Sequence, residues 1–178
     1  FIQILLGAKI YLADVDEKTG QITPETIKKC IQTNKLKKIK VILNMYLGGY
    51  PLNNVEFYKI KKKHKCFLIE DACHAFGAKY KFKNKYIPIG SCKHSDLCVF
   101  SFHPVKPITT GEGGAITTNN KKLANYFSLD SFAKNISDST RIHSSKERSE
   151  GWLMYLHGIG SAKESSPRRD AISNSAVC

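Results

Sequence analysis

The fold is decided by one stretch of sequence, Leu97-Cys-Val-Phe-Ser-Phe-His-Pro-Val-Lys106. It begins with an apolar run typical of a buried strand and ends at a lysine among small and hydroxyl residues. A second apolar run, Ala115-Ile-Thr-Thr118, follows the glycine-rich segment Thr109-Thr-Gly-Glu-Gly-Gly114. A lysine at the mouth of buried strands is poorly placed for a solvated charge and suits an amine that condenses with a carbonyl. We therefore take Lys106 as the candidate catalytic residue.

An acidic turn follows another apolar run further upstream. The run Cys66-Phe-Leu-Ile69 leads directly into Glu70-Asp71-Ala-Cys-His74. An acid at one strand end and a lysine near another are what pyridoxal 5'-phosphate requires, because the acid keeps the pyridine nitrogen protonated and the lysine holds the aldehyde as a Schiff base. Side chains alternate along a strand, so Glu70 and Asp71 face opposite ways, and we expect Glu70 to be structural.

Strand-like and helix-like segments alternate along the first two-thirds of the chain. Apolar runs typical of strands occur at 9–14, 39–43, 66–70, 97–101 and 115–118. Thr23 predicts the N-cap of a first helix with Pro24 at its first position, and a second helix is expected at 54–63. Alternation around Asn84 predicts an exposed hairpin. This order predicts an α/β fold with a mostly parallel sheet, flanking helices and catalytic residues near strand ends.

Two long motifs carry a family resemblance. Segments 70–75 (Glu-Asp-Ala-Cys-His-Ala) and 101–114 resemble those of the DegT/DnrJ/EryC1/StrS family of sugar-nucleotide aminotransferases. Segments 15–22 (Val-Asp-Glu-Lys-Thr-Gly-Gln-Ile) and 46–51 (Tyr-Leu-Gly-Gly-Tyr-Pro) occur at family-like spacing. The resemblance runs from about residue 5 to residue 127.

The resemblance implies a fold and an activity. The fold is that of a fold-type I transferase dependent on pyridoxal phosphate, and residues 1–129 would form part of its cofactor-binding large domain. The activity expected from the resemblance is the transfer of an amino group from glutamate to C4 of a UDP-linked 4-keto-6-deoxy sugar. Family members are homodimers, and each site is completed across the dimer interface. Since the chain shows neither a secretory signal nor a membrane-length apolar run, we expect a cytoplasmic protein.

The resemblance also implies roles for five residues. Lys106 would anchor the cofactor and shuttle a proton, and the related sugar dehydratases of this fold have histidine at its position. Asp71 would pair with the pyridinium nitrogen, and the His74 ring would stack on the cofactor. Ser101 would donate to the cofactor phosphate, and His103 would contact substrate.

Each of these residues also has an ordinary structural interpretation. Asp71 could cap the turn that follows it, and His74 could be a histidine of the core or its rim. The hydroxyl of Ser101 could bond only to backbone, and His103 and Lys106 could be ordinary loop residues.

The positive charge raises the possibility of a nucleic-acid-binding module. The net charge is +13, and 24 of the 28 basic residues are lysines. Those lysines are scattered, and the first 140 residues contain no arginine, the residue that base and phosphate recognition favours. A positive field would equally favour an anionic sugar nucleotide. We therefore rank nucleic-acid binding well below the enzyme hypothesis.

Cysteines and histidines give no metal motif. The six cysteines form no CxxC pair, and the spacing of cysteines and histidines over 64–98 matches no zinc finger or knuckle. Cys66 and Cys98 lie in strand-like runs and are expected to be small core residues. No apolar run has the length of a bilayer span. We therefore expect neither a metal site nor a membrane segment.

The character of the chain changes near residue 130. Serine becomes frequent, all four arginines follow residue 140, and periodicity fades except at Trp152-Leu-Met-Tyr-Leu156. Residues 130–178 are therefore expected to be a divergent, poorly ordered tail, such as a frameshifted gene end would produce. The chain is expected to be a fragment of a larger enzyme. The alternative to an active copy is an inactive fragment that at most binds the cofactor.

Overall fold

The computed structural model describes residues 7–127, together with the backbone of three strands further along the chain. Three α-helices form within the described residues, α1 (Pro24–Thr33), α2 (Asn54–His64) and α3 (Lys121–Tyr126), and a single 3-10 turn lies at Leu47–Gly49. The strands are β1 (Lys9–Ile10), β2 (Ile39–Met45), β3 (Phe67–Asp71), β4 (Lys79–Phe82), β5 (Lys85–Pro88), β6 (Leu97–Ser101), β7 (Gly114–Thr118), β8 (Thr140–Glu147), β9 (Gly151–Gly158) and β10 (Ala176–Val177).

The main sheet has the strand order β1-β10-β2-β3-β6-β7-β9-β8. Neighbours from β1 to β6 pair in parallel, and β7, β9 and β8 continue the sheet with antiparallel pairs. The prediction of a mostly parallel sheet with flanking helices is confirmed. Strands β4 and β5 form the separate hairpin that the alternation around Asn84 predicted.

Local sequence signals account for where most of these elements begin. The Thr23 hydroxyl accepts a hydrogen bond from the Thr26 amide at 3.3 Å, and Pro24 opens α1, as predicted. Helix α2 covers the predicted segment, and its basic last turn complements the helix dipole. The strand predicted at 9–14 is wrong in its length. Only Lys9 and Ile10 are in β1, where they pair with Ala176 and Val177.

The two faces of the sheet differ in how far other elements cover them. Helices α1 and α2 pack on one face, where Ile42, Leu68 and Cys98 are fully buried. Side chains on the other face of the same strands are partly open, with Leu43 41% and Phe67 46% exposed. Strand alternation therefore separates a covered face from a half-exposed face.

A second apolar cluster packs the hairpin against the covered face. Its members include Tyr80 and Ile87 of the hairpin and Phe100 of β6. Cys66 and Cys98 are buried, as predicted, and the five cysteines within the described residues are all free thiols. Nowhere in residues 7–127 do three His, Cys, Asp or Glu side chains come together in a way that could hold a metal ion.

No helix among the described residues has the length and apolar character needed to cross a membrane.

The predicted disorder of residues 130–178 falls largely outside the described residues. For this segment the structure describes only the backbone of three strands. Strand β9 pairs with β7 and with β8, and β10 lies between β1 and β2. The proposed domain boundary near residue 130 stays a prediction.

Candidate active site

The carboxyl ends of β2, β3 and β6 meet at one edge of the sheet. In the parallel ladder, Met45 is opposite Asp71, and Asp71 is opposite Val99. Beyond the ladder, the Tyr46 amide donates to the Asp71 carbonyl at 3.0 Å, and the Ala72 amide donates to the Val99 carbonyl at 2.8 Å. The segments that follow the three strands are therefore held side by side. This edge is where ligands bind in open parallel sheets.

Asp71 ends β3 on the half-exposed face and is itself partly buried. Its Oδ1 accepts a hydrogen bond from the Cys73 amide at 3.1 Å, which fixes the carboxylate over the turn. The turn-capping role considered for Asp71 is therefore present in the structure. The bond engages one carboxylate oxygen and leaves the group at the edge of the sheet, so a second role is compatible with it.

Lys106 and the Asp71 turn are brought together by the fold. The pKa of the Cys73 thiol is raised to about 12, mainly by burial and further by a hydrogen bond to Asp71 and the charge of that carboxylate. The Lys106 ammonium partly offsets these effects. The ammonium therefore lies within electrostatic reach of Cys73, two residues after Asp71. Cys73 was missed as a site residue, although its position beside Asp71 in the motif could have indicated it.

The loop that carries Lys106 projects from the sheet edge between β6 and β7. Its base is closed by two hydrogen bonds, from the Phe102 amide to the Gly113 carbonyl at 2.8 Å and from the Thr110 amide to the Phe102 carbonyl at 3.0 Å. Lys106 is half-buried, while the residues around it are mostly exposed. The apolar runs on both sides of the loop led us to expect a more enclosed lysine. The sequence does not show how far the loop extends from the sheet, so the exposure of the loop could not be predicted.

His74 is held by the turn that follows β2. The Gly48 amide donates to His74 Nδ1 at 3.4 Å. A Cβ at Gly49 would lie 2.4 Å from the His74 carbonyl oxygen, and its φ of 80° is also left-handed, so only glycine fits this contact. Because Nδ1 accepts a hydrogen bond, the neutral ring carries its proton on Nε2. The structure thus places His74 at the edge, and its contact with a cofactor stays a prediction.

Ser101 and His103 precede Lys106, at the end of β6 and just beyond it. Ser101 ends β6 on the same face as Asp71, and its hydroxyl oxygen accepts from the His103 amide at 3.4 Å, so the structural alternative for Ser101 is also seen. The exposed His103 ring lies 3.9 Å from the Glu112 carboxylate. Neither contact tests the predicted roles in phosphate or substrate binding.

A buried group of polar side chains lies behind the site, on the covered face. We call Glu70, Tyr46, Asn54 and Ser95 the Glu70 cluster. The Tyr46 hydroxyl donates to Glu70 Oε1 at 2.6 Å, and the Ser95 hydroxyl donates to Oε2 at 2.9 Å. The structural role predicted for Glu70 agrees with these bonds, but its partners were not predicted.

The chain is similar to proteins of one known family. The family model described as "DegT/DnrJ/EryC1/StrS aminotransferase family" matches residues 2–159. The chain is similar to the UDP-4-amino-4,6-dideoxy-N-acetyl-beta-L-altrosamine transaminase of Campylobacter jejuni, with 38% identity over 126 residues, 71% of this chain and 31% of the relative. The chain spans less than a third of the length of the curated relatives it matches.

Two solved structures resemble the fold. The aminotransferase PseC of Helicobacter pylori, involved in the biosynthesis of pseudoaminic acid, has 28% identity and a TM-score of 0.54, with 79% of this chain and 33% of that chain covered. The GDP-4-keto-6-deoxy-D-mannose-3-dehydratase of E. coli, solved with hydrated PLP, has 30% identity and a TM-score of 0.52, with 64% of this chain and 27% of that chain covered.

Proposed function

The chain belongs to the DegT/DnrJ/EryC1/StrS aminotransferase family, and from this membership we propose that it forms part of the cofactor site of an aminotransferase that uses pyridoxal phosphate and acts on a nucleotide-linked sugar. One observation carries the proposal. Asp71 ends β3, and the loop that carries Lys106 leaves the end of the neighbouring parallel strand β6, to which the turn after Asp71 is bonded. A carboxylate at one strand end and an amine in the loop after the next strand thus lie at one edge of the sheet.

The residues at this edge fit the groups that pyridoxal phosphate presents. A carboxylate suits the pyridinium nitrogen, a hydroxyl suits the phosphate, and an amine suits the aldehyde. Asp71, Ser101 and Lys106 supply these three groups from the ends of β3 and β6. When bound, the cofactor supplies an electron sink for the carbon that loses a proton.

Each residue then has a defined task. Lys106 would hold the cofactor covalently through its aldehyde carbon and, once released, would move a proton between the substrate carbon and the cofactor. Asp71 would keep a proton on the pyridine nitrogen, with its orientation fixed by the Cys73 amide. His74 would cover one side of the ring, Ser101 would donate to the phosphate, and His103 would contact substrate.

The substrate pair we propose is glutamate and a UDP-linked 4-keto-6-deoxy sugar. The sugar would receive the amino group at C4. The name of the Campylobacter jejuni relative and the pseudoaminic acid context of the Helicobacter pylori structure support this class. The positive charge of the chain would favour a nucleotide diphosphate. We also propose that the complete protein is a cytoplasmic homodimer and that it acts in pseudaminic acid biosynthesis.

The test is covalent trapping in the complete gene product. After incubation with pyridoxal phosphate and reduction with borohydride, peptide mapping should locate the cofactor on Lys106. The variant Lys106→Arg should lose the label, and the matched variant Lys93→Arg, at an exposed lysine outside this edge, should keep it. Label on another lysine, or on none, contradicts the proposal. Trapping at Lys106 without turnover of glutamate would favour the alternative of a cofactor-binding chain without activity.

A further inference from the structure

The Glu70 cluster joins three elements through one buried carboxyl group. Glu70 is 4% exposed, and its two oxygens accept hydrogen bonds from three side chains. Tyr46 directly follows β2, Asn54 is the first residue of α2, and Ser95 precedes β6. The Asn54 amide nitrogen also donates to the Tyr46 hydroxyl oxygen, so these two side chains are bonded to each other as well.

Hydrogen bonds, not an ion pair, hold this carboxyl group. Within residues 7–127, Glu70 takes part in no salt bridge. Burial raises the pKa of Glu70, and the hydrogen bonds from Tyr46, Ser95 and Asn54 oppose that rise. Both oxygens of Glu70 thus accept directional hydrogen bonds, and such bonds can fix the orientation of a neighbouring side chain.

Tyr46 connects this cluster to the site edge. Its ring is fully buried against Glu70, while its backbone amide donates to the Asp71 carbonyl. The next residues form the turn at 47–49, in which the Gly49 amide donates back to the Tyr46 carbonyl at 3.0 Å. Gly48 of that turn donates to His74, and Gly49 packs directly on the His74 backbone. A shift of the Tyr46 ring would therefore move the turn that holds His74.

We propose that Glu70 is a positioning residue that acts through Tyr46, seating the turn at 47–49 and thereby holding His74 at the site edge. The link from Glu70 to His74 depends only on contacts within this chain and needs no bound cofactor. Its consequence for cofactor affinity rests on the proposed function.

The variants separate hydrogen bonding from charge and from packing. In Glu70→Gln, the amide oxygen can still accept from Tyr46 and Asn54, and the amide nitrogen can donate to the Ser95 hydroxyl oxygen. Glu70→Leu removes all of these bonds. Tyr46→Phe removes only the hydroxyl and leaves the ring. The matched control is Thr118→Val, because Thr118 is 1% exposed and its hydroxyl donates to the Asp96 carbonyl at 2.6 Å, outside the Glu70 cluster.

The first readout needs no cofactor. The ¹⁵N shifts of the His74 ring and the amide shift of Gly48 are recorded in the complete gene product at a mildly alkaline pH. Glu70→Gln and Thr118→Val should leave the Nε2–H tautomer of His74 unchanged. Glu70→Leu and Tyr46→Phe should shift the ring toward a mixture of tautomers, because Nδ1 loses its fixed donor. If Glu70→Leu does not fold, Tyr46→Phe carries the test.

The second readout is the affinity for pyridoxal phosphate, followed by absorbance. The affinity should fall about tenfold in Tyr46→Phe, by analogy with the loss seen when a hydrogen-bond partner of a metal-binding residue is removed. In Glu70→Gln it should stay within about twofold of the parent. If Tyr46→Phe and Glu70→Leu leave the His74 signals as in the parent, while stability falls as in Thr118→Val, the inference is overturned. If the His74 signals move but no cofactor is trapped on Lys106, the proposed function fails and the link to Glu70 stands.

Discussion

Glu70 and Asp71 are adjacent in the chain, yet they lie on opposite faces of β3 in opposite surroundings. Glu70 is buried against α2 and bonded to side chains from three elements. Asp71 is half-buried at the sheet edge and bonded to the amide of its own turn. Because successive residues of a strand face opposite ways, one acid is available to the core and the other to a ligand. The pair shows how two adjacent residues of one strand can meet a buried and a half-exposed environment.

The same division extends across the sheet. The covered face carries the buried residues that pack against α1 and α2, whereas the half-exposed face carries Asp71 and Ser101 at its edge. We therefore expect substitutions on the covered face to change mainly stability. Substitutions at the edge of the other face should change mainly chemistry.

The largest expected effect is at Asp71. In Asp71→Asn, one oxygen still accepts from the Cys73 amide, but the charge that would keep the pyridine nitrogen protonated is lost. We expect the single-turnover reaction with glutamate to slow by about a hundredfold or more, with little change in thermal stability. Asp71→Ala should be at least as slow and should also loosen the turn. An Asp71→Asn protein that reacts at the parent rate would rule out the assigned role.

The next effect contrasts two leucines on opposite faces. Leu68 is 1% exposed on the covered face, and Leu43 is 41% exposed on the other. Leu68→Ala should lower the free energy of unfolding by about 2–5 kcal/mol, because it leaves a cavity in the core. Leu43→Ala should cost about 1 kcal/mol or less. Urea denaturation of both variants measures the difference, and equal losses would show that the two faces are covered alike in the intact protein.

The smallest effect is the pH dependence of stability that Glu70 should contribute. Its pKa is raised in the folded protein above the value of 4.5 expected for the unfolded chain. The folded state therefore holds the proton more tightly, and the stability that this contributes is present below pH 4.5 and is lost as the pH rises through the folded pKa. Glu70→Gln should remove this decline. From pH 4.5 upward, the free energy of unfolding of the parent should therefore fall relative to that of the variant, and a constant difference between the two curves would contradict the raised pKa.

Much of the fold follows from signals that extend over only a few residues. Apolar runs located β2, β3 and β6, Thr23 and Pro24 marked the start of α1, and alternation around Asn84 marked the hairpin. The parallel arrangement then placed Asp71 and Lys106 at one edge of the sheet, because strand ends on the same side of crossover helices meet there. The sequence alone therefore determined most elements up to residue 127, the mostly parallel sheet and the edge at which the candidate site lies, but neither the length of β1 nor the strands β8 to β10.

Only the tertiary structure decided which side chains meet. Tyr46 and Ser95 lie 24 and 25 residues from Glu70, and the bonds between them depend on strand register and helix packing, which no local pattern records. The contact of Gly49 with His74, the reach of Lys106 to Cys73 and its half-buried state also depend on how loops leave the sheet. Periodicity is set by neighbours in the chain, whereas contacts between elements are set by the packing of the whole fold.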